Sequence, residues 1–175
     1  MATDVTKIKL GPCKVIFDVL GTPITLETTQ GGVTLVYEET DRDVKTDQYG
    51  DTPAKKIITG RNARFEVPFA EYDLDKLTRM IPGSTLIING PDPTKKRVVV
   101  NAGSVIDLLD YAKQVKLIPL AAGTTENESV TLYKAAPRPK INYKYDYNGE
   151  RISNVTFEGF PDSNANLIAF GDMSA

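Results

Sequence analysis

The stretch GGVTLVYEETDRDVKTDQYGDTPAKKIITGRNARFEVPFAEYDLDKLTRMI, residues 31–81, decides the fold predicted for this chain. It begins with an apolar-alternating strand at 33–38 and ends with a second strand that is followed at once by a short amphipathic helix. Between the two strands, residues 38–60 are too polar to be buried and too many for a simple hairpin turn. Loops of this length without their own structure are usually functional or disordered, and we interpret this one as functional.

The hydrophobic period changes within the last twenty residues of the stretch. Apolar residues occupy every second position from 63 to 69, which predicts a strand with one buried face. The apolar residues then recur at helical spacing, while Asp73, Asp75, Lys76 and Arg79 face water. The predicted helix-packing residues are Leu74, Leu77 and Ile81. Because Pro82-Gly83 cannot continue a helix, we expect a lid of roughly ten residues on a β framework.

The remainder of the chain is predicted to be mainly strands separated by turns. Strands are expected at residues 14–20, 24–28, 84–89, 95–101, 116–120, 141–147, 151–158 and 167–170. Pro119 favours an edge position for the strand that contains it, and Asn148-Gly149 predicts a tight two-residue hairpin turn. We therefore predict one domain over residues 1–175: a mainly β, two-sheet β-sandwich or barrel with one flanking α-helix, preceded by an N-terminal arm at residues 1–11.

Composition excludes several classes of protein. The chain has 21 basic and 23 acidic residues, a net charge of -2, which argues against a broad basic face for nucleic acid. It has no run of apolar residues long enough to span a membrane and no apolar signal core, so we expect a soluble protein made in a cytoplasm. The single cysteine, Cys13, cannot form an intramolecular disulfide, and we expect a small buried side chain there.

Catalytic chemistry is sparse. The chain contains no histidine, which removes the usual general base and the commonest metal ligand. Acids at alternate positions in DRDVKTDQYGD (41–51) could hold Ca²⁺, but the segment departs from the EF-hand pattern. We predict a non-enzymatic protein without metal or cofactor, although a glycosidase that uses two carboxyl groups stays open as an alternative.

Three tyrosines near the C-terminus allow a second function. Tyr143, Tyr145 and Tyr147 alternate with polar residues, and tyrosine rings stack well on flat ligand faces. We expect them to form the packed face of a sheet. The alternative is a carbohydrate-binding β-sandwich module that uses these rings.

Three phrases of the sequence resemble the tail tube (major tail) proteins of tailed bacteriophages. They are TPAKKIITGRNARFEVPFAEYDLDKLTRMIPGS (52–84), LLDYAKQVKLIPL (108–120) and VTFEGFPDSNANLIAFGD (155–172). With their order and spacing, the resemblance covers roughly residues 11–172.

The resemblance implies an assembly function. Tail tube proteins form hexameric rings that stack head to tail, and strands of neighbouring subunits join into one ring barrel around a lumen. A long loop between two early strands reaches the adjacent ring. DNA passes through the lumen during ejection.

By this resemblance the chain is expected in the virion tail, after assembly in the host cytoplasm. Its partners would be other copies of itself, the tail sheath, the tail terminator and baseplate or tip proteins, with DNA only in transit and no membrane. The expected ring-stacking residues are Glu38, Glu39, Asp41, Arg42, Asp43, Lys45, Asp47, Asp51, Lys55 and Lys56. Six subunits of four strands would give a barrel roughly 50 Å across, wide enough for a duplex about 20 Å in diameter.

Overall fold

The computed structural model describes residues 7–103 and 105–175, which contain ten strands, one short α-helix and 3-10 turns that include Leu108–Tyr111 and Glu126–Glu128. The elements are β1 (Cys13–Phe17), β2 (Ile24–Leu26), β3 (Thr34–Lys45), β4 (Pro53–Phe69), α1 (Leu74–Met80), β5 (Ser84–Ile88), β6 (Lys96–Val100), β7 (Lys113–Pro119), β8 (Val130–Ile141), β9 (Ser153–Phe160) and β10 (Ile168–Phe170). The prediction of a mainly β protein with two sheets and a flanking helix is confirmed. Of the predicted N-terminal arm, residues 1–6 lie outside the described residues.

The two sheets are very different in size. The larger has eight antiparallel strands in the order β2-β1-β7-β8-β9-β4-β3, and β10 also pairs with β8. The smaller is the hairpin β5-β6. β9 and β10 pair with successive parts of β8, so the segment 161–167 is an excursion that interrupts one edge of that strand.

The large sheet curls around a single core. The rings of Phe17 on β1 and Phe157 on β9 are 5.4 Å apart although two strands separate β1 from β9, whereas flat neighbouring strands would each add about 4.8 Å. An isolated bridge from Thr29 to Phe69 brings the chain after β2 against the end of β4. Within the described residues this is a curled sheet and not a closed barrel. The buried apolar residues at its centre are Val15, Phe17, Leu26, Ala63, Phe65, Val67, Phe69, Met80, Val115, Val130, Leu132, Ala135, Val155 and Phe157.

The helix closes one opening of the curled sheet. Asp73 caps it by accepting hydrogen bonds from the backbone N–H groups of Asp75 and Lys76, and it ends at Met80 after seven residues, fewer than predicted. Met80 is 1% exposed and belongs to the core, whereas the predicted packing residues are half-buried.

The segment 38–60, predicted as a loop, is mostly strand. Thr34 to Lys45 pairs with Glu66 down to Pro53, with register shifts after Thr40 and Val44. The prediction was wrong because it required a buried apolar face for a strand. A two-stranded ribbon that projects into solvent is exposed on both faces, and backbone pairing joins its strands while ion pairs across them fix the register.

The predicted C-terminal hairpin has a different turn. β8 ends at Ile141 and β9 begins at Ser153, so residues 142–152 are a loop and the predicted strand through Tyr147 is wrong. β8 itself was not predicted, because Pro137 and Pro139 argue against a central strand. β7 pairs with β8 only as far as Ala135, so the prolines lie where one edge of β8 has no partner. The predicted edge position of β7 is wrong, because β7 lies between β1 and β8. Pro119 is tolerated there because it is the last residue of the strand.

Candidate self-association surfaces

The most prominent surface feature is the ribbon, which we define as residues 41–58, the part of the β3-β4 hairpin beyond its first register shift. Here β4 pairs only with β3, because its pairing with β9 begins at Arg64. From Pro53 to Ile58 at about 3.3 Å per residue, the paired strands of the ribbon extend roughly 20 Å. Its tip is the turn 46–52. A ribbon of two strands is marginally stable alone. A ribbon that projects from the sheet would therefore be stabilised by binding a partner surface.

Ion pairs cross the ribbon and its base. They are Lys56 with Asp41 (3.5 Å) and with Asp43 (3.5 Å), Arg61 with Glu39 (3.2 Å), Arg64 with Glu38 (3.6 Å), and Lys45 with Asp51 (3.1 Å). The two neighbouring carboxylates raise the pKa of Lys56. The hydroxyl of Tyr37 donates to Glu39 (2.7 Å), and that bond and Arg61 lower the pKa of Glu39. All these groups are exposed, so the pairs specify register more than they add stability.

The pairing changes what the predicted stacking residues offer to a neighbour. Glu38, Glu39, Asp41, Asp43, Lys45, Asp51 and Lys56 all have partners within the chain. Among the described residues, Arg42, Asp47 and Lys55 have no ion-pair partner.

Apolar side chains on the ribbon were not singled out from the sequence. Ile57 is 44% exposed and Ile58 is 48% exposed, next to each other on β4. Tyr49, at the tip, is 66% exposed. The signal that could have revealed them is two consecutive isoleucines inside a segment that is otherwise charged. Exposed apolar residues on a projecting strand pair favour contact with another protein surface.

The four strands β8-β9-β4-β3 present a polar face opposite the core. Rows across the sheet place Arg64 beside Glu158, and place Thr156 between Glu66 and Arg138. Arg64 pairs with Glu66 (3.0 Å) and with Glu38, and Arg138 pairs with Glu158. With Lys134 and Lys140 of β8, the charged groups of this face are four basic and three acidic residues, so its excess is a single positive charge.

The two ends of the large sheet are open. β2 and β3 occur at the ends of the strand order, and each has one neighbour within the described residues. Unpaired backbone groups on an edge strand are templates for pairing with another chain. β3 has twelve residues, which makes it much the longer template.

The predicted helix-packing site is only partly as expected. Leu74, Leu77 and Ile81 are half-buried. Arg79, which was predicted to face water, donates to Asp18 (2.7 Å) and to the backbone carbonyl of Thr22 (3.2 Å). This contact could not be seen in the sequence because Asp18 precedes Arg79 by 61 residues along the chain. The helix is thus held by the turn that follows β1 as well as by the core.

The tyrosines predicted to pack on a sheet are mostly exposed. Tyr145 is 74% exposed and Tyr147 fully exposed, so that prediction is wrong for both. Tyr143 is half-buried, and its hydroxyl lies 2.5 Å from the Ser153 hydroxyl. The ring of Tyr72, which follows β4, lies 6.4 Å from that of Tyr143 and was missed because nothing in the sequence links the two.

The described residues contain no group of three or more His, Cys, Asp or Glu side chains placed to hold a metal ion. No helix in the described ranges has the length and apolarity needed to cross a membrane. Cys13 is half-buried, and burial raises the pKa of its thiol.

The sequence matches no protein-family model and no curated protein. A chain similar to this one occurs in the cryo-EM structure of the anti-feeding prophage (AFP) baseplate, 6-fold symmetrised, with a TM-score of 0.43 and 12% sequence identity over 90% of this chain and 92% of that chain. A likeness this distant assigns neither a family nor a function.

Proposed function

We propose that the protein is a structural subunit of a phage tail tube and assembles into hexameric rings that stack head to tail. The resemblance of the sequence to tail tube proteins supports this function. The structural observation that carries it is the ribbon, which extends roughly 20 Å and leaves Ile57 and Ile58 exposed. In a free subunit the ribbon adds nothing to the hydrophobic core. In a stack of subunits it would provide a contact that repeats from ring to ring.

Within each ring, neighbouring subunits would join their large sheets into one barrel. The open edges at β2 and β3 supply the backbone groups for that pairing. The polar face of β8-β9-β4-β3 would then line the lumen. Arg64 and Arg138 pair with acids of the same face, which suits a channel for DNA because unpaired arginine would hold the phosphates.

The other partners follow from the tube. A tail sheath, a tail terminator and baseplate or tip proteins would meet its outside and its ends, and the subunit would be assembled in the host cytoplasm and carried in the virion. DNA would be a passenger in the lumen and not a bound ligand.

Electron microscopy of the purified protein tests the proposal directly. We expect rings or tubes, and a strictly monomeric mass by light scattering at high concentration together with empty micrographs would refute it.

A pair of matched variants tests the ribbon itself. Ile57→Thr with Ile58→Thr removes the exposed apolar contact but keeps β-branched residues, so the subunit should fold and fail to form long tubes. Ile87→Thr with Ile88→Thr is the control, because it makes the same exchange at two exposed positions of the small hairpin. Normal tubes from the ribbon variant would show that these isoleucines are not part of the stacking contact.

The exposed rings of Tyr145 and Tyr147 favour a second candidate, a carbohydrate-binding module. A glycan array separates the two functions. Glycan binding by a protein that forms neither rings nor tubes would favour the module.

A further inference from the structure

We propose that the loop at residues 142–152, together with Tyr72, is the surface that receives the ribbon tip of a second copy in the adjacent ring. This inference rests on the proposed function and names the receiving site for the stacking contact. We call this loop and Tyr72 the tyrosine surface.

The tyrosine surface is built before any partner arrives. The rings of Tyr143 and Tyr145 meet edge to face at 6.5 Å, and the Arg151 guanidinium lies 4.7 Å from the centre of the Tyr145 ring. Asp146 accepts a hydrogen bond from the backbone N–H of Asn148 (3.0 Å). An aromatic surface with fixed rings loses little conformational freedom on binding.

The tyrosine surface and the ribbon tip lie at opposite ends of β4. β4 runs from the tip at Pro53 to Phe69, and Phe69 is in register with Ser153, where the loop ends. Seventeen residues at about 3.3 Å each place the two features roughly 50 Å apart. The tip and the tyrosine surface of one chain therefore cannot meet. In a head-to-tail stack, however, the tip of each subunit points toward the end of the next ring that carries this surface.

The unpaired charges of the two features are opposite in sign. The tip, residues 46–52, contains Asp47, which has no ion-pair partner among the described residues, and Asp51, which pairs with Lys45. The loop, residues 142–152, contains two basic residues, Lys144 and Arg151, and two acids, Asp146 and Glu150. Of those acids, Asp146 pairs with Lys144, and Glu150 accepts a hydrogen bond from Gln30.

That pairing leaves basic charge available to a partner. Among the described residues, Arg151 has no acidic partner, so it can meet an aspartate of an incoming tip. Tyr49 of the tip is exposed and can pack against the tyrosine rings.

Disulfide trapping tests the contact without altering any of these groups. In a Cys13→Ser background, we would combine Gln48→Cys at the tip with Asn148→Cys in the loop, both exposed positions. Because a disulfide needs Cα atoms about 4.4–6.8 Å apart, any bond between these positions must join two copies. Oxidised tubes should give a ladder of covalent oligomers, whereas either cysteine alone should give at most dimers.

A charge reversal provides a second measurement. Arg151→Glu should lower the fraction of subunits in tubes at least threefold, and Arg97→Glu, the same change on the small hairpin, should leave it unchanged. Wild-type tubes with no ladder from the cysteine pair would overturn this inference alone. Unassembled wild-type protein would overturn the proposed function as well. Glycan binding that is lost on Tyr147→Ser, with tube length unchanged, would assign the surface to sugar and also overturn the inference.

Discussion

Met80 is the side chain through which the helix contributes to the core, and Met80→Ala tests that assignment. Met80 is 1% exposed and lies in the core cluster. Removing a buried methionine side chain costs about 2–5 kcal/mol, the lost transfer energy plus the cavity left behind. Alanine favours a helix slightly more than methionine does, so the loss is due to packing and not to helix propensity.

Leu77→Ala is the matched control on the same helix. Leu77 is half-buried, and about half of the 1.5–3 kcal/mol for burying a leucine fully gives a cost of about 1 kcal/mol. Urea denaturation followed by circular dichroism measures both, at a concentration where light scattering gives the monomer mass. The slope m should stay the same for both variants. A loss below about 1 kcal/mol for Met80→Ala, or a larger loss for Leu77→Ala, would refute the assignment of Met80 to the core.

Two further predictions concern a tight contact and the response to acid. Gly83→Ala should lower the free energy of unfolding more than Gly32→Ala, as measured by urea denaturation. Both glycines have positive φ (75° and 85°), but only at Gly83 would a Cβ lie 2.4 Å from Ile106 Cδ1. Equal losses would mean that Ile106 moves aside. Backbone N–H groups lower the pKa of Asp162 and of Asp172, so the stabilisation from these carboxylates is complete above their ordinary pKa near 4 and is lost as the pH falls through the lowered values. The urea midpoint should therefore be constant from about pH 5.5 to 7.5, because a chain without histidine has no side chain whose ordinary pKa lies in that range. At pH values below about 4 the midpoint should decrease. A decrease between about pH 7.5 and 5.5 would contradict this.

The sequence by itself determined the elements whose pattern is local. The alternation from Ala63 to Phe69 correctly predicted the buried face of β4. The change to helical spacing after Asp73 correctly predicted a short helix there. In each case a period of two or of about 3.6 residues records which side chains leave water, and neighbours in the chain suffice to show it.

Tertiary structure decided the features that depend on distant residues. The ribbon is strand because the backbone of β3 pairs with that of β4, with ion pairs such as Lys56 with Asp41 fixing the register, whereas composition shows only a polar segment. The Asn148-Gly149 signal did not make a tight hairpin, because β8 stops at Ile141 and the loop is held instead by contacts such as that of Tyr143 with Ser153.

The candidate surfaces divide in the same way. The sequence identified the charged segment, since a run of exposed charges needs no core to be recognised. Only the fold placed the ribbon tip and the tyrosine surface at opposite ends of one sheet, because the register of β4 on β9 sets their separation. The sequence gives the chemistry of each surface, and the pairing of strands distant in the chain determines where that chemistry is presented.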